Sequence, residues 1–355
     1  MTAIHQPTAR DFGLLCGDMT PGTRNTLADV AGVTIGHFTL KDKTLNTGFT
    51  AIRPHGGNLF HDKLPAAVEV INGFGKSAGL VQVEELGTLE TPILLTNTFG
   101  VGTGVNALIR RAIAESPEIG RSTGTVNPVV MECNDGYLSD IQAMALTEQD
   151  AISALELAVE NFEQGGVGAG AGMSAFGFKG GIGTASRVFE LAGGQFTLGA
   201  LVLANFGRPG DLMLPDGRKP HPKDLKAPND GLPEERGSVI IVLATDVPLD
   251  SRQLKRVAKR AGAGIARLGA YYGNGSGDIA LAFSTAQTIP HAAESDFVAR
   301  EMITEGKIDL LFKAAAESTQ EAVLNGMISA DPLRGFKGHK RQSLREWLRL
   351  ASHTV

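Results

Sequence analysis

A serine stands where a polar segment meets a continuous apolar run, in Glu235-Arg236-Gly237-Ser238-Val239-Ile240-Ile241-Val242-Leu243-Ala244-Thr245-Asp246. The run is short, β-branched and bounded by turn residues, so it reads as a buried strand with Ser238 at its first position. Two uses of Gly237-Ser238 stand side by side. The pair is a turn that opens the strand, or Ser238 is a nucleophile held on its far side and open on its near side. Cut before Ser238, the chain would present a hydroxyl and a free α-amine on one residue. An α-amine with a pKa of about 7.7–8.0 can act as general base for that hydroxyl. Local pattern leaves both readings open.

Other reactive patterns are weaker. There is no HExxH and no CxxC pair, and His55, His61 and Asp62 make only a loose metal-like triplet. His37, at the end of a short apolar run, reads as a structural hydrogen-bonding histidine. The segment from Gly165 to Gly172 contains GxGxG spacing. A helical pattern precedes it where a dinucleotide fold needs a strand, so tight turns or close backbone packing account for it better. No G-x-S-x-G elbow appears.

Composition narrows the class. Thirty-three Lys and Arg against 38 Asp and Glu give a net charge of -5, so no global basic excess favours nucleic acid. Glycine is the outlier at 45 of 355 residues, implying many tight turns and close backbone approaches. Cys16 and Cys133 form no disulfide framework. No secretory leader and no apolar stretch of membrane-spanning length is read in the sequence, so a cytoplasmic protein is expected, without a nucleic-acid or membrane partner.

The elements that must position the serine follow from periodicity. Strands are expected around residues 30–37, 65–71, 93–96, 126–131, 196–205 and 279–283, and helices over about 79–86, 105–115, 147–162, 251–265 and 308–324. Residues 208–236 hold six prolines and many charges and read as one long loop. The basic tail from Lys337, with Trp347, reads as an amphipathic surface helix. Balanced strands and helices with many glycine turns favour a layered α/β fold.

In order and spacing, several segments together resemble the DmpA/BapA family of aminopeptidases, family S58, over nearly the whole chain. They are Gly22-Thr23-Arg24-Asn25, Asn72-Gly73-Phe74-Gly75-Lys76, Asn97-Thr98-Phe99-Gly100-Val101-Gly102, Glu132-Cys133-Asn134-Asp135-Gly136-Tyr137, Gly166 to Gly172, Leu203-Ala204-Asn205-Phe206-Gly207 and Gly237-Ser238. The resemblance implies a single catalytic domain with a four-layer αββα sandwich, like the N-terminal-nucleophile hydrolases but with distinct connectivity. It also implies self-cleavage between Gly237 and Ser238 into an α chain (residues 1–237) and a β chain (residues 238–355). Ser238 then matches the nucleophile for both cleavage and turnover, and Asn205 the oxyanion-stabilising amide. Ser276 and Asp278 match the polar pair beside the nucleophile, with aspartate where the β-peptidase branch has glutamate. Glu132 matches the acid that receives the substrate's amino group. Asn134 stands where one member has a tyrosine, and Tyr137 is near in sequence, so both are candidates for secondary contacts. No metal or organic cofactor is implied. The implied partners are small peptides, amino-acid amides or esters, and further copies of the chain in a homo-oligomer, often a tetramer of αβ units. Two rivals remain: acyl transfer to an amine, and a peptide-binding protein that keeps the fold without processing.

Overall fold

The computed structural model describes residues 6–225, 237–293 and 295–352. Strands β1 (Thr34–Lys41) and β2 (Asn46–Arg53) pair antiparallel, β3 (Asp62–Gly73) leaves for a second sheet, and β4 (Ile93–Asn97) and β5 (Val129–Cys133) return to the first. The second sheet is completed by β6 (Gly181–Leu191), β7 (Gly194–Asn205), β8 (Ser238–Thr245) and β9 (Gly277–Ser284). The smaller sheet runs β1-β2-β4-β5 and the body of the larger runs β3-β9-β8-β7-β6. Within the larger sheet β8 and β9 are parallel, and β3 and β7 flank them antiparallel.

The helices are α1 (Leu80–Leu86), α2 (Val101–Glu115), α3 (Glu148–Glu156), α4 (Ser251–Ala266), α5 (Asp309–Ser329) and α6 (Leu344–Ser352). Strand alternation tells where they pack. On β8, Ile240, Val242 and Ala244 enter a core shared with Ile35, Ile52, Leu95 and Met131 of the smaller sheet. Val239, Ile241 and Leu243 enter the core under Leu254, Val257 and Ala261 of α4 and Leu311 and Ala315 of α5. A strand apolar on both faces is one covered on both faces, which is why its sequence shows no alternation. Phe49, Leu94 and Val130, on the other side of the smaller sheet, pack against Leu108 of α2 and Leu155 of α3. Helices, sheet, sheet and helices thus form the four expected layers.

Several boundaries differ from the periodicity reading. Helix α2 begins at Val101, because Asn97 Oδ1 accepts from Gly100 N–H at 2.8 Å and caps the turn that leads into it. Helix α3 stops at Glu156, short of Phe162, because the backbone of Val159 is paired in both directions with Ile35 at 3.0 Å. Strands β2 and β6, which the apolar pattern did not isolate, carry the buried polar residues Asn46, Thr47, Thr50, Thr184, Ser186 and Arg187. Of the proline-rich loop, residues 226–236, Glu235 and Arg236 among them, lie outside the described residues. The tail forms α6, whose Trp347 Nε1 donates to Asp224 Oδ2 at 2.8 Å. Cys16 and Cys133 are buried free thiols. No helix among the described residues is long and apolar enough to cross a membrane.

Candidate active site

Sheet register places the central residues. Ser238 heads β8; its partner across β7 is Asn205, and its partner on β9 is Gly277. Residues directly opposite on neighbouring strands point to the same face. Ser238 shares its face with Ile240 and Val242, and Asn205 shares its face with Leu203 and Leu201, all of which turn toward the smaller sheet. The hydroxyl and the amide therefore lie opposite each other on one face at the strand ends, between the sheets.

Short backbone links hold them. Gly277 N–H donates to Ser238 Oγ at 3.2 Å. A Cβ on Gly277 would come within 2.8 Å of Gly75 Cα, so only glycine brings this N–H under the hydroxyl. Gly237 is required for a related reason: a Cβ there would lie 2.1 Å from the Asn205 carbonyl oxygen. The close approach to β7, as well as access to the carbonyl, selects glycine before the serine. Asn205 is held at both ends of its amide. Its Oδ1 accepts from Ser174 N–H at 2.9 Å, and its Nδ2 donates to the Asn134 carbonyl at 2.9 Å. An amide NH2 has two hydrogens, so one donor remains once Asn134 is served.

Ser276 and Asp278 flank Gly277 on β9, both buried, and Ser276 Oγ donates to Asp278 Oδ1 at 2.5 Å. The aspartate thus reaches Ser276 despite its shorter side chain. Phe74 N–H donates to the Ser276 carbonyl at 3.2 Å, tying this turn to the segment that follows β3.

Glu132 sits near the end of β5, 2% exposed, with each oxygen engaged. Lys76 N–H donates to Oε1 at 2.8 Å, and the Thr98 hydroxyl donates to Oε2. Gly75 joins the two halves of the site. The position of its absent Cβ lies 3.7 Å from Gly277 Cα and 3.8 Å from Glu132 Oε1. The Glu132 carboxylate and the glycine whose N–H donates to Ser238 are thus on neighbouring sides of Gly75.

The secondary candidates separate. Asn134 meets Asn205 through its backbone carbonyl, while its exposed side chain accepts from Gly136 N–H at 2.8 Å within its own turn. Tyr137 stacks on His339, ring centroids 4.3 Å apart, with the Arg341 guanidinium 3.8 Å from its ring. Between them Asp135 is fully buried, and burial pushes its carboxyl up to about 7 against the hydrogen bonds from Thr47 and Asn97. Among the described residues no three His, Cys, Asp or Glu side chains converge as metal ligands. His55 Nε2 and the Asp62 carbonyl are 2.9 Å apart, and His61 pairs with Glu118 at 3.0 Å.

Sequence reasoning named the residues that a family resemblance carries, and missed groups that hold them: Thr98 and the Lys76 and Ser174 backbone amides. Lys76 and Thr98 both lie inside the family-like segments. The backbone donors leave no signal in side-chain chemistry.

Comparison with known proteins identifies the family and the fold. The chain matches the model of peptidase family S58 over residues 25–341. It is 37% identical to beta-peptidyl aminopeptidase BapA of Sphingosinicella microcystinivorans, over 95% of this chain and 89% of that protein. The PH0078 protein of Pyrococcus horikoshii OT3 superposes with a TM-score of 0.91 at 46% identity, covering 98% of this chain and 99% of its own. The L-aminopeptidase D-Ala-esterase/amidase of Ochrobactrum anthropi, described as a prototype serine aminopeptidase and a new variant of the Ntn hydrolase fold, superposes with a TM-score of 0.87. It is 37% identical and covers 99% of this chain and 100% of its own.

Proposed function

Because the chain belongs to peptidase family S58 and is a self-processing serine aminopeptidase working through an acyl-enzyme, we propose that Ser238 performs both the cut and the turnover. In the uncut chain Ser238 Oγ attacks the Gly237 carbonyl carbon. Its proton passes to the Ser238 nitrogen as the amide C–N bond breaks and an ester forms. Water then releases the Gly237 carboxylate, leaving Ser238 with a free amine and a restored hydroxyl.

In the cut enzyme that amine takes the hydroxyl proton as Oγ adds to the substrate carbonyl. The remaining N–H of Asn205 Nδ2 donates to the oxyanion, where charge appears only in the transition state. The amine returns its proton to the leaving nitrogen, and water hydrolyses the acyl-enzyme. Ser276 and Asp278 form the polar pair beside the nucleophile. Glu132 binds the substrate's ammonium by charge-assisted hydrogen bonds, which restricts cleavage to the N-terminal residue. The observation that carries this reading is the cross-strand pairing of Ser238 with Asn205, with Gly277 N–H on the hydroxyl.

The substrates are small peptides, amino-acid amides and esters, and the working form is a homo-oligomer of αβ units in the cytoplasm. A matched amide and ester of one amino acid, turned over with hydroxylamine present, test the shared acyl-enzyme. The expected result is one product ratio of hydroxamate to free acid from both. Different ratios would remove the common intermediate.

A further inference from the structure

Linked to Asn205 through the Met173–Ser174 peptide is a buried lysine that the reaction as described does not use. Lys179 is 1% exposed. Its Nζ donates to the carbonyls of Gly170, Met173 and Gly180 at 2.9, 3.0 and 2.8 Å. An ammonium has three donors and no acceptor, so three bonds use it fully. No carboxylate is among these partners. Burying a cation without an ion-pair partner is costly, and a neutral polar side chain could satisfy most of these carbonyls at lower cost. Burial pushes the amine down to about 7, with Lys41 acting in the same direction and Asp135 against it.

The three carbonyls belong to the glycine-rich turn and to the hairpin that follows it. Ser174–Ala175 pairs with Phe178–Lys179 in that hairpin, and Gly180 N–H donates to the Met173 carbonyl at 2.9 Å. Ser174, the next residue, supplies the N–H that fixes Asn205 Oδ1. The hairpin has little room to shift. A Cβ on Gly180 would meet the Ala204 carbonyl at 2.2 Å, next to Asn205, and one on Gly172 would meet the Asn46 carbonyl at 2.3 Å. The route from cation to amide is therefore Lys179 Nζ, the Met173 carbonyl, the Ser174 amide and Asn205 Oδ1.

We propose that Lys179 is a positioning residue for the oxyanion donor: its ammonium locks the Gly170–Gly180 hairpin so that the Ser174 amide orients Asn205 toward the reacting carbonyl. The glycine-rich segment is then the mount of the oxyanion donor. A cation on three carbonyls also polarises the Met173–Ser174 peptide and strengthens the Ser174 N–H as a donor.

This proposal rests on the assignment of Asn205 as oxyanion donor, and a double-mutant cycle separates the two claims. Lys179→Met, Asn205→Ala and the double variant are assayed for kcat and KM; where maturation is slow, the rate of self-cleavage is compared in the same cycle. Asn205→Ala should lower the rate about 10²–10³-fold. Lys179→Met should lower kcat at least about tenfold with KM nearly unchanged, and should add nothing in the Asn205→Ala background. Lys179→Gln, which keeps two donors, should fall between Lys179→Met and the parent, and it replaces Lys179→Met in the cycle if the methionine variant does not fold. Unchanged kcat in the Lys179 variants, a change confined to KM, or losses that multiply in the double variant would overturn the proposal while leaving Asn205 in place. No loss in Asn205→Ala alone would remove the underlying assignment, and the proposal with it.

Discussion

The two faces of the larger sheet each bury a polar cluster, and the clusters are built on opposite plans. On the face toward α5, Arg187 of β6 is fully buried and its guanidinium donates to Glu317 at 3.1 Å and Glu321 at 2.8 Å, and to the carbonyls of Ser186 and Cys16. Arg10 and Asn25 also donate to Glu321, and the backbone amides of Asp18 and Met19 donate to Glu317. Arg187, Glu317 and Glu321 each have their charge answered more than once. On the face toward the smaller sheet, Ser238 is held by one bond and Asn205 by two, all to backbone, and both retain donor capacity. Nearby Asp135 Oδ1 and Ser174 Oγ have no hydrogen-bond partner among the described residues.

Buried polar groups that are fully paired fix architecture, while groups left with spare capacity are available to a reacting molecule. The first cluster joins residues 10–25 to α5, which lie on opposite sides of the proposed cut. The sheet does the same, since β8 and β9 of the C-terminal piece lie between β3 and β7 of the N-terminal one. The cut pieces should therefore remain one folded unit.

Substitutions should divide along the same line. Arg187→Met leaves two buried carboxylates without their shared cation and should destabilise by about 3–5 kcal/mol, read by chemical denaturation. The fraction that remains folded should keep its kcat; a fall in kcat at full folding would blur the division. Asn205→Ala should do the reverse, losing about 10²–10³ in kcat with a small change in denaturation midpoint. Glu132→Gln should raise KM about 10- to 100-fold, the worth of a charge-assisted bond. It should also narrow the preference for free over N-acetylated substrate, and an unchanged preference would place amino-group recognition elsewhere.

The smallest effect sharpens the contrast through pH. Asp135 has a raised pKa in the fold, so its stabilising contribution is full below its unfolded value near 4 and is lost as pH rises through about 7. Stability of the parent relative to Asp135→Asn should fall between about pH 4 and 7 and level off above that. A flat difference across that range would mean that the carboxyl is ionised throughout.

How much of this could be read in the sequence depends on which face is considered. Strand β8 announced itself because both its faces are apolar, and α4 because Leu254, Val257, Ala258, Ala261 and Ile265 fall on one stripe, with Asp250 capping Gln253 N–H at 2.6 Å. Strand β6 stayed hidden, since Arg187 and Thr184 look solvent-exposed until residues about 130 positions away close over them. Asn205 alone is a polar strand end, and only its register against Ser238, or a family resemblance, marks it. The supports of the site were the least visible part. Lys179 looks like a surface lysine, and the glycines beside it like a loop, because three carbonyls converging on one ammonium are a tertiary event.

The central claim, that Ser238 is freed by cutting its own peptide bond, is tested most directly by intact mass and N-terminal sequencing of the purified protein beside Ser238→Ala. The account predicts two pieces in the parent, the smaller beginning Ser238-Val239-Ile240, and one uncut chain without turnover in the variant. An uncut parent that still releases N-terminal residues, or a Ser238→Ala chain cut at the same bond, would contradict it.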